Sequence, residues 1–274
     1  MQHRKITFIG AGNMAGSIIS GLVKDGYPAD YICASAPSLA NTQKLAQQYA
    51  IKISQDNVQA VNNSDVIVLG VKPQIMADVC QALAQQDCDF SNKLVISIAA
   101  GISVQRLQSL LGDDTAIIRT MPNTPSLLQK GMTGLFASKQ VNKEDKQFAN
   151  ELMSAVGETV WVENESMINA IIAASGSAPA YFFLFMEAMQ NKAMEMGFSK
   201  EQARLLVLQS ALGSAEMVKQ NADIELATLR NNVTSKGGTT AQAISTFEQL
   251  GLPETVAKAM QAAADRGAEM EKLF

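Results

Sequence analysis

The chain has 274 residues, 47% apolar and 18% charged, with a formal charge of −4, a balance that excludes disorder and offers no basic surface to nucleic acid or an anionic membrane. Its length exceeds one minimal domain and suits two. A single histidine, His3, and three cysteines without a C-x-x-C pair (Cys33, Cys80, Cys88) exclude histidine triads and most zinc sites, so no metal is expected, and they fit a reducing cytosol. The first apolar segment starts too early for the h-region of a leader. The longest unbroken apolar run, residues 178–186, is about half of what a membrane span needs, so a soluble cytoplasmic protein is expected.

In chain order, residues 5–22, KITFIGAGNMAGSIISGL, read as a strand, a glycine turn and a helix start. Ile6, Phe8 and Ile9 beside the β-branched Thr7 suit a strand buried on both faces of a parallel sheet. Gly10, Gly12 and Ala15 match the G-x-G-x-x-G/A dinucleotide fingerprint, with helix amides beyond Asn13 pointing at a pyrophosphate. A second strand, 31–34, ends in Ala34, Ser35, Ala36, Pro37 and Ser38, with no carboxylate before Asp56. An NAD site usually places Asp or Glu there for the ribose 2′-hydroxyl, so NADP(H) is favoured, with Lys44 the first nearby cation. A helix through Lys44 and Leu45, a strand at 51–54 and a helix start at Asp56-Asn57 follow.

Three further strands end in turn chemistry: 65–73 in Val71-Lys72-Pro73, 93–99 in Ala99-Ala100-Gly101, and 115–119 in the MPNTP run of 121–125. Ser103 is placed to cap the helix carrying Leu107 and Leu110. Open α/β sheets bind ligands along the carboxyl edge where such turns align. Strands at 132–137 and 159–162, flanking a helix from Asn142, complete a Rossmann-type doubly wound α/β domain over residues 1–163.

From 164 to 274 helical periodicity replaces alternation, predicting an all-α domain with helices at 165–174, 179–196, 199–219, 224–230, 240–250 and 253–273. Gly197 reads as a helix stop and Ser199 with Gln202 as a capping box. Runs such as 181–186 and 205–208 leave these helices little polar face, which predicts a helical dimer whose subunits cover each other. Glu187 reads as a paired structural carboxylate. In NNVTSKGGTT, residues 231–240, Gly237 and Gly238 precede an amphipathic helix marked by Ile244, Phe247 and Leu250, and Thr239 with Gln242 fits a capping box. Such a turn describes an ordinary capped helix equally well as a nest for a carboxylate or phosphate, supplemented by the hydroxyls of Thr234, Ser235, Thr239 and Thr240.

The run GAGNM (10–14), VKP (71–73), MPNTP (121–125), SGSAPAY (175–181) and VTSKGGTT (233–240), in that order across nearly the whole chain, resembles the pyrroline-5-carboxylate reductases. The resemblance implies NAD(P)H-dependent reduction of 1-pyrroline-5-carboxylate to L-proline, the last step of proline biosynthesis. It implies that Ser235, Gly237, Gly238 and Thr239 hold the substrate carboxylate and that Thr240 bonds the ring nitrogen. Gly10, Ala11, Gly12, Asn13, Met14, Ser35, Asn57, Val71, Lys72, Pro73, Ala99, Ala100 and Asn232 correspond to cofactor positions, with NADPH preferred and NADH possible. A helical domain interlocked between two subunits, and dimers assembled into larger rings, are also implied. Two positions depart from the family pattern: Lys236 stands where proline is usual, and Ala178 where glycine is usual. A hydroxyacid dehydrogenase of the same architecture is the enzyme alternative, with Lys72 as the residue that would polarise a carbonyl. A nucleotide-binding regulator without turnover would need no second anion nest.

Overall fold

The computed structural model describes residues 3–86 and 88–274. Its centre is an eight-stranded sheet: β1 (Ile6–Ile9), β2 (Ile32–Ser35), β3 (Lys52–Ser54), β4 (Val66–Leu69), β5 (Leu94–Ser97), β6 (Ala116–Met121), β7 (Gly131–Ala137) and β8 (Gly157–Trp161). The spatial order is β3-β2-β1-β4-β5-β6-β7-β8, so the chain reverses its direction of travel across the sheet between β1 and β4. All pairings are parallel except β6 with β7. Every residue of β1, β4 and β5 is buried, which accounts for continuous apolar strands where a half-exposed sheet would show alternation.

Helices α1 (Asn13–Lys24), α2 (Leu39–Tyr49), α3 (Asn57–Asn62), α4 (Pro73–Gln85), α5 (Val104–Leu111) and α6 (Lys143–Ser154) follow the strands. They close two apolar clusters. One gathers Phe8, Ile18, Ile96 and Leu152, and the other Ile9, Ile67, Met76 and Leu107. The expected strands all form, although β6 runs two residues further than its apolar core indicates, to Met121. Pro73 does more than end a strand. It is the first residue of α4, where its fixed φ suits the helix and its missing N–H costs nothing. Ser103 caps α5 as expected, accepting from Arg106 N at 3.1 Å.

The remainder is helical: α7 (Met167–Ile171), a π-helical turn (Ile172–Gly176), α8 (Ala178–Glu195), α9 (Lys200–Gln220), α10 (Leu226–Asn232), α11 (Thr239–Gln249) and α12 (Leu252–Leu273). The chain forms two compact units. One contains the residues up to Ser177 together with Ala262–Phe274, and the other is Ala178–Gln261. Composition changes near residue 163, yet α7 and the end of α12 pack with the sheet. Glycines permit it: a Cβ on Gly134 of β7 would lie 2.7 Å from Ile171, and one on Gly267 of α12 would lie 2.8 Å from Asn169 Oδ1. Neither approach survives with a side chain in the way.

In the second unit the capping box of α9 forms in full, with Ser199 N donating to Gln202 Oε1 and Gln202 N to Ser199 Oγ. Gly197 ends α8 at φ 104°. Phe185 and Phe247 pack with ring centroids 5.9 Å apart. Even so, no residue of α8 is buried within the chain, and Phe182, Phe183 and Leu184 are 63–67% exposed. Glu187 is exposed as well, and among the described residues it makes no ion pair, against the paired role expected of it: neighbouring side chains within the chain leave it in solvent. The helical stretch Met167–Glu195 contains an 18-residue window with a mean hydropathy of 1.5 and is long and apolar enough to cross a membrane by length and composition. Counting only unbroken apolar residues hides this, because the window tolerates Ser175, Gly176 and Ser177.

Each large side chain left in water forgoes about 1.5–3 kcal/mol of burial, so this surface is expected to be covered by a second copy. Light scattering at micromolar concentration is expected to give at least twice the 29.3 kDa of one chain. A monomer would contradict the reading of α8 and α9 as a buried interface.

Candidate functional site: a glycine cradle and an uncapped glycine turn

The first element of the candidate site is the end of β1. Gly10 has φ 99°, and a Cβ there would lie 2.8 Å from the carbonyl carbon and oxygen of Gly70. Only glycine satisfies both the conformation and the approach. Gly10 N donates to Ser35 O at 2.8 Å and Gly70 N to Ile9 O at 2.9 Å, which ties the ends of β2, β1 and β4 together. Gly12 then serves as N-cap of α1. No side chain caps this helix, and a Cβ on Gly12 would meet nothing within 4 Å. The first-turn amides of α1 therefore face open space beside the point where strand order reverses, which is the arrangement that receives a pyrophosphate.

Ser35 ends β2 fully buried, and its Oγ donates to Asn57 Oδ1 at 2.7 Å. The Asn57 amide Nδ2 is thereby left as a donor at the start of α3. Asp56, the first carboxylate after β2, is committed elsewhere: its Oδ1 accepts from Val58 N and Gln59 N at 2.9 and 3.0 Å as the cap of α3. Nothing acidic stands at Ser35–Ser38 to repel a 2′-phosphate. Val71, the exposed Lys72 and Pro73 follow β4, and Ala99 and Ala100 follow β5. Strand register places Ile9 beside Ser35 and Leu69, and Leu69 beside Ser97. Gly10, Ala11, Gly12, Asn13, Met14, Ser35, Asn57, Val71, Lys72, Pro73, Ala99 and Ala100 thus collect along one carboxyl edge of the sheet. Asn232, the last residue of α10, belongs to the other compact unit.

The second element is the turn before α11. Gly237 has φ 75°, and Gly238 N donates to Ser235 O at 3.0 Å. The Thr239–Gln242 capping box expected from sequence does not form. Gly237 in the left-handed region and Gly238 in an extended conformation move the N-cap to Gly238, so Thr239 is already inside the helix. Gln242 N bonds Gly238 O as an ordinary helical donor. No side chain caps α11, and Ser235, Thr239 and Thr240 are exposed around its free first-turn amides. This outcome favours an anion nest over a self-satisfied cap. A Cβ on Gly238 would lie 2.5 Å from Ser235 Oγ, so the hydroxyl sits close against the glycine backbone.

Neither glycine turn holds a histidine, cysteine or carboxylic acid, and Lys236 stands directly before Gly237. Burial pushes the Cys80 thiol up to about 12 and raises Cys33 as well, which leaves both protonated at neutral pH. Among the described residues no group of three or more His, Cys, Asp or Glu is placed to hold a metal ion. Two buried polar residues escaped the sequence reading. Asn123, in MPNTP, donates to Ser175 O at 3.0 Å and accepts from Met132 N at 2.9 Å, fixing the π-helical turn to β7. Arg119, wholly buried in β6, bonds Glu165 at 2.9 Å. For Arg119 the available signal was a lone charge inside an apolar strand; Asn123, two residues beyond the end of β6, was marked only by the MPNTP turn.

Residues 165–270 match the profile for pyrroline-5-carboxylate reductase dimerisation, and residues 5–101 that for NADP oxidoreductase, coenzyme F420-dependent. The chain is 61% identical over its full length, and over the full length of the relative, to a pyrroline-5-carboxylate reductase of Vibrio alginolyticus. The chain belongs to the pyrroline-5-carboxylate reductase family. Its fold matches the reductase structure from Coxiella burnetii with a TM-score of 0.92 at 42% identity, covering 98% of this chain and 99% of that one. The Plasmodium falciparum enzyme, solved with NADP bound, gives 0.87 at 30% identity and 99% coverage of both chains. The second profile ends at Gly101, the turn after β5, and so spans the cradle from β1 through Ala100.

The geometry separates two glycines of the cradle by experiment. Gly10→Ala is expected to lower Tm, because the methyl meets Gly70. Gly12→Ala is expected to leave Tm within a few degrees and to weaken NADPH by about tenfold or more, because its methyl fills the space where phosphate approaches. Fluorescence titration with thermal melts reads both. Unchanged NADPH affinity in Gly12→Ala would remove the cradle from the site.

Proposed function

We propose that this chain reduces the C=N bond of 1-pyrroline-5-carboxylate to give L-proline, with NADPH preferred and NADH accepted. The observation that carries the reading is the uncapped Gly237-Gly238 turn in a chain that also has an open dinucleotide cradle and belongs to this reductase family. Ser35, Asn57 and the unopposed Ser38 hydroxyl favour a ribose 2′-phosphate, since Asp56 is spent on α3. In this reading residues 1–163 hold the cofactor, and residues 164–274 hold the substrate and the partner subunit. Asn232 completes the cofactor contacts. The assembly is a homodimer, with dimers joined into a ring, and the protein works in the cytoplasm without metal, nucleic acid or membrane.

When bound, NADPH supplies the hydride. The protein's part is placement. Ser235, Gly237, Gly238 and Thr239 hold the carboxylate through backbone and hydroxyl donors, which orients the ring without a titrating group. The Thr240 hydroxyl bonds the ring nitrogen and keeps the imine carbon facing the nicotinamide edge. A protonated cyclic imine already accepts hydride well, so no histidine or carboxylic acid is needed. This argues against the hydroxyacid reading, in which Lys72 would have to polarise a carbonyl.

Thr240→Ala is expected to lower kcat/KM for the imine by about 10- to 100-fold, with Thr240→Ser retaining most of it and NADPH affinity unchanged in both. Steady-state kinetics with varied imine reads the effect. Wild-type kcat/KM in Thr240→Ala would overturn the assignment.

A further inference from the structure

The last residues of the chain carry more contacts than the end of a helix needs. Met270 stands against Gly101, where a Cβ would lie 2.8 Å from Met270 Cβ, and Gly101 itself has φ 72°. Glu271 Oε1 lies 2.7 Å from Arg119 Nη1, a close charge contact to a guanidinium that is wholly buried. The same Nη1 donates to Glu165 Oε1 at 2.9 Å, and that oxygen also accepts from Val104 N at 2.7 Å, the first residue of α5. Arg106 Nε, two residues further along α5, donates to the Phe274 carbonyl at 2.8 Å. Phe274 packs on the apolar cluster that contains Ala99 and Ile102.

Two of these contacts reach the segment 99–104, which joins β5 to α5 and begins with the two alanines assigned to the cofactor: Met270 meets Gly101, and Glu165 accepts from Val104 N. The far end of the segment is anchored by the buried Ile102 and Val104 and by the Ser103 cap, but its first residues are Ala-Ala-Gly, and Ala99 N reaches only Ser97 Oγ, at 3.4 Å. Its start is therefore shaped in part from outside, by Met270 on Gly101, while Glu271 reaches the Val104 amide at its end through Arg119 and Glu165. Among the described residues Arg119 Nε and Nη2 have no hydrogen-bond partner. Two carboxylates converge on one nitrogen of this cation, so the charge acts as a pin between α12 and the residues preceding α7 rather than as a saturated ion pair.

We infer that residues 267–274 form a clamp that sets the Ala99-Ala100-Gly101 turn for cofactor binding, with Met270 and Glu271 as positioning residues. This rests on the assignment of Ala99 and Ala100 to the cofactor site made above. Neither residue touches the reacting atoms, and the effect falls on the cofactor and not on the imine. The clamp lies in the terminal turns of α12, within the same compact unit as the sheet and the turn it faces.

The test uses the full-length protein, with Met270→Ala and Glu271→Gln measured separately. NADPH Kd comes from fluorescence titration, imine KM from steady-state kinetics, and mass from light scattering. Each variant is expected to weaken NADPH by about 3- to 10-fold while imine KM stays within about twofold and the mass is unchanged. Glu271→Gln keeps the shape of the side chain, so it separates charge from packing if Met270→Ala folds poorly. Wild-type NADPH Kd in both variants would overturn the inference. So would equal losses for NADPH and imine accompanied by a fall in mass, which would reduce the clamp to a fold contact. Failure of the wild-type protein to turn over the imine would instead refute the proposed reaction, and the NADPH measurements would still stand.

Discussion

The approach of Gly10 to Gly70 is the contact on which the cofactor half of the molecule depends. Two parallel strands can be neighbours without their ends meeting, but here β1 and β4 leave the sheet so close together that a single methyl at Gly10 would strike a peptide group. Two residues further on, Gly12 starts α1 with its first turn uncapped and open. The approach also falls where strand order reverses, the place an open α/β sheet provides for a ligand. Buried apolar strands supply the rigidity that makes so close a fit tolerable, since every residue of β1 and β4 is excluded from solvent.

Both glycine turns answer the same chemical problem in the same way. In the proposed reading each would meet an anion with backbone amides at a helix start rather than with a histidine or a cluster of cations. α1 and α11 share the necessary features: an extended glycine N-cap and no side chain occupying the first turn. The helices whose caps are filled are different elements. Asp56 caps α3, Ser103 caps α5, Asn142 caps α6 and Ser199 caps α9, and no anion site is assigned to any of those starts. The starts of α2, α4, α7 and α10 also lack a side-chain cap, so what sets α1 and α11 apart is the glycine at the N-cap and not the empty cap alone.

Much of this was legible in the sequence, for identifiable reasons. Strands β1, β4 and β5 could be read because burial on both faces leaves an unbroken apolar run, and the helices of the second half because their period changes at one point. The cofactor positions could be read as far as turn chemistry marks strand ends. What was not legible depended on distant contacts. The S/T-x-x-Q pattern forms a capping box at Ser199 and fails at Thr239, because Gly237 and Gly238 shift the helix start by one residue. The docking of α7 and of the end of α12 on the sheet unit turns on Gly134 and Gly267, whose role appears only when Ile171 and Asn169 come to stand over them. Arg119 gave a sign of itself as a charge within an apolar strand, but its two carboxylate partners lie 46 and 152 residues away in sequence.

The central claim is that a chain with no histidine or carboxylic acid at either glycine turn performs an imine reduction by placement. The most direct measurement follows NADPH absorbance and proline formation together in the purified wild-type protein, with and without 1-pyrroline-5-carboxylate. The account predicts NADPH loss only when the imine is present, with one proline formed for each NADPH consumed. NADPH consumption at the same rate without the imine, or no proline when the imine is supplied, would contradict it.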